Sequence, residues 1–202
     1  VGGAAGVGGA ALYQNMNKGG TVVYEGERPK VQTVVNNNDG QPMTAEQLYA
    51  ANLASCVGIT VNTTVNIFGQ TTTSAASGSG FVLTQDGYIV TNYHVIEDAV
   101  DDSSVTIEVS FADDTKYTAK LVGGEQDNDI AVLKIDATGL TPAQFGKTEE
   151  LQVGEEALAI GDPLGATFHG TLTNGILSGI NRDVTLNGYS MTLLQTAAAL
   201  NS

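Results

Sequence analysis

Residues 77–96 read SGSGFVLTQDGYIVTNYHVI. In this stretch, two short runs rich in β-branched and aromatic residues, 80–84 and 88–92, flank the turn Gln85-Asp86-Gly87. Such side chains favour strands, and a glycine in a tight turn supplies the positive φ that a hairpin connection needs. The stretch therefore predicts a β-hairpin whose second strand leads directly into His94.

Further strand patterns follow at a spacing of roughly ten residues, with turn residues between them. They are Val57–Val65, Val105–Phe111, Tyr117–Gly123, Ile130–Ile135, Ala157–Gly161, Thr171–Ile180 and Tyr189–Thr196. Apolar and polar residues alternate strictly in Val105–Phe111, which predicts a half-buried strand. Many short strands of this kind are typical of an all-β sandwich or barrel. Ahead of them, Thr44-Ala45-Glu46-Gln47 fits a capping box and predicts the start of a short helix.

The N-terminal part of the chain differs from the rest. Residues 1–13 are small, apolar and uncharged, whereas residues 14–43 are polar and irregular and are interpreted as a linker. Two interpretations of residues 1–13 stay open, namely the end of a membrane anchor whose beginning is missing and a flexible Gly/Ala linker. The first residue is Val1 rather than Met, so we expect the chain to be a processed or partial form of a longer protein.

The charge of the chain is strongly acidic. Asp and Glu number 22 against 8 Lys and Arg, which gives a formal net charge of −14. Nucleic-acid binding requires a basic face, so this class of partner is excluded. A solvated acidic surface and an electrostatic preference for basic or neutral polypeptides both remain open.

Cysteine and histidine are scarce. The single cysteine, Cys56, excludes a disulfide within the chain, and its place at the start of an apolar strand predicts a buried small hydrophobe. The two histidines have no cysteine or carboxylate near them at metal-ligand spacing. We therefore predict no metal site and no cofactor.

His94 and Asp129 are the residues most suited to chemistry. A lone histidine is more often structural, and His169 is interpreted in that way. Asp129 directly precedes the aliphatic run Ile130–Ile135, so its carboxylate lies at the mouth of a buried strand. A desolvated carboxylate is costly without a partner, which favours contact with a group such as an imidazole. A turn aspartate that precedes the strand by chance is the alternative.

Several motifs in order resemble the HtrA (Deg) family of serine proteases. The first is the stretch 77–96 with His94, and the second, Asp129-Ile130-Ala131-Val132-Leu133-Lys134, is similar to the acid motif of the family. The others are Gly161-Asp162-Pro163-Leu164-Gly165, the segment 170–178, Asn181-Arg182, and Leu194-Gln195-Thr196, which resembles the approach to the nucleophile loop. The resemblance extends from about residue 44 to residue 202.

The resemblance implies an all-β, trypsin-like double β-barrel with the active site between the barrels. The first barrel is expected at about residues 52–136, and an incomplete second barrel at about 145–202, both within a protease domain of residues 44–202. His94 is then the general base, and Asp129 accepts its Nδ1–H. The implied activity is serine endopeptidase action on misfolded or unfolded polypeptides in the bacterial cell envelope, with a homotrimeric assembly and a downstream PDZ domain. A membrane anchor upstream is the open interpretation of residues 1–13 given above.

The chain also departs from the family. The family nucleophile lies in a Gly-Asn-Ser-Gly-Gly motif beyond Thr196, and Ser202 matches the position just before that motif, so we expect the nucleophile to be absent from this chain. Ala197 stands where the family usually has Asp, and Asp162 replaces a usual Asn. The alternative is therefore a catalytically inactive relative that binds or senses peptides.

Overall fold

The computed structural model describes residues 22–23, 43–67, 70–102, 104–162, 169–186 and 189–200. The strands are β1 Val22–Val23, β2 Cys56–Ile67, β3 Gln70–Val82, β4 Tyr88–Thr91, β5 Thr106–Ser110, β6 Lys116–Glu125, β7 Ile130–Ile135, β8 Glu156–Gly161, β9 Thr171–Leu186 and β10 Tyr189–Thr196. The helices are α1 Ala45–Asn52 and α2 Tyr93–Ile96, with 3₁₀ turns at Leu53–Ser55, Glu97–Ala99 and Thr148–Glu150. The segment interpreted as an anchor or linker, residues 1–13, lies outside the described residues, as does most of the predicted linker 14–43.

A closed barrel forms the first half of the fold. Its antiparallel strands follow the order β6-β5-β2-β3-β4-β7, and pairing of β6 with β7 closes the ring, while β1 pairs with β6 at Gly123 and Gly124. Alternate residues along the strands point inward, as strand geometry requires. They form a core that includes Val57, Ile59, Val61, Ile107, Val109, Ala131, Leu133 and Ile135, all buried. The sequence prediction of an all-β barrel is confirmed.

A second, three-stranded antiparallel sheet follows, in the order β10-β9-β8. The register between β9 and β10 shifts between Leu177 and Arg182, so the long strand β9 bends along its length. These strands form a partial second barrel among the described residues. The predicted strand Thr171–Ile180 is therefore shorter than β9, which continues to Leu186.

Local predictions are mostly confirmed. The capping box is present, because the Thr44 hydroxyl accepts the Gln47 N–H and the Gln47 side chain accepts the Thr44 N–H. Gly87 has a φ of 100° in the turn between β3 and β4, as the hairpin prediction requires. Ser110, expected on the exposed face of its strand, is instead buried and donates a hydrogen bond from Oγ to the carbonyl oxygen of Gly58.

Candidate active site

The short helix α2 presents His94 to solvent. Tyr93, Val95 and Ile96 are buried, whereas the His94 side chain is 68% exposed. Tyr93 packs over Gly124 so closely that a Cβ at position 124 would lie 2.8 Å from a ring carbon of the tyrosine. Because three neighbours of His94 are anchored in the barrel, the helix has a fixed orientation and the imidazole projects outward.

The register of β4 against β7 brings His94 next to Asp129. Thr91 pairs with Ala131 in this antiparallel ladder, so the residues after Thr91 and those before Ala131 lie side by side. Asp129 ends the turn between β6 and β7 with a φ of 51°, and its N–H donates to the carbonyl oxygen of Gln126 at 3.1 Å. This left-handed conformation is uncommon outside glycine and directs the Asp129 side chain toward α2.

Three hydrogen bonds hold the Asp129 carboxylate. Its Oδ2 lies 2.7 Å from Nδ1 of His94 and accepts from Nδ2 of Asn92 at 3.1 Å. Its Oδ1 accepts from the His94 amide N–H at 2.9 Å. Nδ2 of Asn92 also lies 3.0 Å from the Asp129 carbonyl oxygen. Both the carboxylate and the imidazole ring are therefore fixed in orientation.

This geometry is suited to proton transfer. Because Nδ1 of His94 faces the carboxylate, Nε2 is the ring nitrogen that can accept a proton from another group. The carboxylate then stabilises the imidazolium that forms. The structure thus brings together the two residues that the sequence singled out, His94 and Asp129.

Asn92 was not anticipated from the sequence. It lies between the end of β4 and the start of α2, and its side chain contacts Asp129, which directly precedes β7. The one available signal was a polar residue directly between a strand and a candidate histidine, and that pattern is common in turns. Its partner becomes identifiable only once β4 pairs with β7.

His169 also has a carboxylate partner. Its Nδ1 lies 2.6 Å from Oδ2 of Asp162, which is 1% exposed at the end of β8. The interpretation of His169 as structural rather than catalytic remains a prediction, and no pattern in the sequence indicated this pair. The two residues are seven positions apart, and neither of the motifs that contain them predicts the burial of Asp162.

A cleft of about 730 Å³ opens beside Asn92 and Ile130. Its other walls include residues of α1, β3, β4 and β8 and are mainly apolar, with Leu158 and Ile160 among them. Cys56 lines this cleft and is half-buried, so it is less buried than the predicted small hydrophobe of a strand. Burial raises the pKa of the Cys56 thiol, and the nearby negative charge of Asp162 raises it further.

Within the described ranges, no three histidine, cysteine or carboxylate side chains come together in a way that could hold a metal ion. In the same part of the chain, no helix has both the length and the apolar composition needed to cross a bilayer. Ser202 lies outside the described residues.

Residues 78–202 match the family described as the trypsin-like peptidase domain. Protease Do-like 1, a chloroplastic protein of Arabidopsis thaliana, is 44% identical over 130 residues, which cover 62% of this chain and 28% of that protein. A probable periplasmic DegP-like serine endoprotease of Chlamydia trachomatis serovar D is 42% identical over 127 residues, which cover 63% of this chain and 24% of that protein. The chain therefore spans about a quarter of the length of these curated relatives.

A solved structure shares the fold. The HtrA-type protease AlgW with decapeptide superposes with a TM-score of 0.63 at 29% identity, over 76% of this chain and 52% of that one. The barrel topology and the sequence matches agree with one another. This chain belongs to the family of trypsin-like peptidase domains, and its relatives are the HtrA, or Do-like, serine proteases.

Proposed function

We propose that this chain supplies the general base and the orienting acid of an HtrA-type serine endopeptidase. The observation that carries the proposal is the contact between Nδ1 of His94 and Oδ2 of Asp129 at 2.7 Å, in a carboxylate that two further donors hold in place. An imidazole locked by a carboxylate in one tautomer is the arrangement that activates a serine hydroxyl.

The proposed reaction is acyl transfer from a peptide bond. A serine hydroxyl attacks the scissile carbonyl carbon while its proton passes to Nε2 of His94. The same proton then passes to the departing amine as the carbon–nitrogen bond breaks, and water repeats the sequence to release the acyl group. We propose that this serine lies beyond Ser202, since Leu194-Gln195-Thr196 resembles the approach to the family nucleophile.

The proposed substrates are misfolded or unfolded polypeptides in an extracytoplasmic compartment, with the bacterial cell envelope as the setting. Relatives named as periplasmic and chloroplastic proteases support the location, and the similar structure titled with a decapeptide supports a peptide substrate. The exposed His94 ring is accessible to an extended chain. A homotrimer and a PDZ domain belong to this proposal through the family resemblance, and a membrane anchor belongs to it through the apolar, uncharged composition of residues 1–13.

A second candidate is an inactive relative that binds or senses peptides. The observation that favours it is Ala197, where the family usually has Asp. Loss of a polar residue close to the nucleophile loop is compatible with a scaffold that keeps its peptide-binding surface and has lost its chemistry. The two candidates share the His94–Asp129 pair and differ in whether a reactive serine is present.

The deciding experiment uses the full-length protein, with the residues that follow Ser202 in its gene. A fluorophosphonate probe reports an activated serine, peptide mapping locates the label, and hydrolysis of unfolded casein reports turnover. We expect a label on a serine beyond Ser202, and we expect His94→Ala to abolish labelling and hydrolysis. Lys120→Ala, an exposed change on β6, is the control and should leave both unchanged.

The outcomes separate the candidates. Undiminished hydrolysis by His94→Ala would contradict the assignment of the base. Absence of any labelled serine, together with retained binding of an unfolded peptide, would favour the inactive relative.

A further inference from the structure

Asp162 is a carboxylate removed from water. It lies at the end of β8 and is 1% exposed. Its Oδ1 accepts the N–H of Gly170 at 2.7 Å, and its Oδ2 lies 2.6 Å from Nδ1 of His169. Gly58 on β2 makes room for it, because a Cβ at position 58 would lie 2.5 Å from Oδ2. The carboxylate therefore fits between the first barrel and the second sheet.

His169 faces the buried carboxylate of Asp162. A buried carboxylate is costly unless donors or a cation compensate it, and the His169 imidazole meets Oδ2 while the Gly170 N–H meets Oδ1. The imidazole is itself largely buried, at 15% exposed, and its Nε2 makes no hydrogen bond with any described residue. The ring is thus held through Nδ1. An asparagine, which the family resemblance places at this position, would need no such partner.

Hydrogen bonds connect this pair to the strand that carries the candidate base. The Asp162 N–H donates to Oγ of Ser79 on β3 at 2.8 Å. The carbonyl oxygen of Ser79 accepts from Oγ1 of Thr91 at 2.8 Å. Thr91 is the last residue of β4, and α2 with His94 follows after Asn92. These contacts link Asp162 to the start of the segment that orients His94.

We propose that Asp162 and His169 form a positioning pair, which sets the second sheet against the strand end that leads to His94. His169 acts through Asp162 and Ser79 and does not touch the reacting atoms. This inference rests on the proposed function, because alignment matters only if the second barrel brings a nucleophile to Nε2 of His94. A misplacement of about 1 Å between such groups is enough to cost roughly a hundredfold in rate.

The kinetic test is a rescue experiment in the full-length protein. His169→Ala removes the imidazole partner of the buried carboxylate and leaves only the Gly170 N–H of the two contacts described above. We expect kcat for peptide hydrolysis to fall about 10- to 100-fold with little change in KM. Asp162→Asn combined with His169→Ala removes the charge together with its partner and should restore most of kcat. His169→Asn, whose amide N–H can replace the Nδ1 donor, should give an intermediate rate. All rates are compared well below the melting temperature of each variant.

Hydrogen exchange tests the same coupling without reference to activity. In folded His169→Ala we expect faster amide exchange in peptides covering 156–162 and also in those covering 88–94. Exchange that changes only around 156–175 would overturn the inference, and so would a kcat equal to that of the unsubstituted protein. If His94→Ala retains full hydrolysis, the proposed function fails, whereas the exchange result still decides whether the pair is coupled to β4.

Discussion

His94 contacts Asp129 through two of its atoms at once. The amide nitrogen donates to Oδ1 at 2.9 Å, and the ring Nδ1 lies 2.7 Å from Oδ2, so one carboxylate fixes both the backbone and the side chain of the histidine. The start of α2 and the orientation of the imidazole therefore depend on the same group. Substitutions at Asp129 can separate these two roles.

Asp129→Asn should preserve the hydrogen bond from the His94 amide and reverse the direction of the hydrogen bond with the His94 ring. The amide oxygen can still accept the His94 N–H, but the amide nitrogen is a donor and selects the tautomer that carries its proton on Nε2. That tautomer cannot act as a base at Nε2, so we expect kcat of the full-length protein to fall by about 10⁴-fold. The melting temperature should fall modestly, because Nδ2 of Asn92, which donates to Oδ2 of Asp129, then faces a second amide N–H. A rate within tenfold of the unsubstituted protein would contradict the assignment of Asp129.

Asn92→Ala should make the orientation of the Asp129 carboxylate less well defined while leaving its contacts with His94 in place. The change deletes the amide group that lies 3.1 Å from Oδ2 and 3.0 Å from the carbonyl oxygen of Asp129. We expect kcat to fall about 10- to 100-fold, as is typical for groups that orient a catalytic residue. Asn92→Asp is the matched comparison and should be worse, since it places a second carboxylate beside the first. An unchanged pH–rate profile and rate in Asn92→Ala would argue against this role.

Gly124→Ala should destabilise the first barrel. The added Cβ would approach a ring carbon of Tyr93 at 2.8 Å and would also contact the Cβ of Ala131. Tyr93 and Ala131 are both held in the core. We expect the free energy of unfolding to fall by about 1–3 kcal/mol in urea titration. Gly146→Ala is the matched control, because a Cβ there has no heavy atom within 4 Å. Equal stability of the two variants would mean that Tyr93 can move away from position 124.

Cys56 should react slowly in the folded protein. Burial, and then the charge of Asp162, raise the pKa of its thiol, so the thiolate fraction at neutral pH is lower than in the unfolded chain. We expect iodoacetamide to modify native Cys56 more slowly than urea-unfolded Cys56 at pH 8, and the native rate should continue to increase at a pH where the unfolded thiol has levelled off. Mass spectrometry over time measures both rates. Equal rates in the two states would contradict the burial of the thiol.

The regular strands could be predicted because their patterns are local. The bounds of Ile130–Ile135 and Tyr189–Thr196 agree with the structure, since an aliphatic run and a β-rich run are each enclosed by turn residues. By contrast, β3 begins at Gln70, well before the predicted start at Gly80. The segment between them is rich in Thr, Ala, Ser and Gly and has no apolar alternation, and it becomes a strand by pairing along the length of β2.

The candidate site was partly predictable for the same reason. His94 follows the recognisable strand β4 and Asp129 precedes the recognisable strand β7, so both residues could be singled out from the sequence. Asn92 and the Asp162–His169 pair depend on contacts between distant elements. Ser110 is the clearest case in which a local pattern is misleading, because the alternation along its strand predicts an exposed side chain. The structure buries it near Gly58, beside which Asp162 packs.

The barrel that carries His94 and Asp129 closes when β7 pairs with β6, and all of its strands are complete by Ile135. A nascent chain leaves the ribosome from its N-terminus, so this half can acquire its shape while the remainder is still being synthesised. The contact between His94 and Asp129 then forms without any later segment. Under the proposed function, peptide cleavage starts only after the later half of the domain has docked against this barrel.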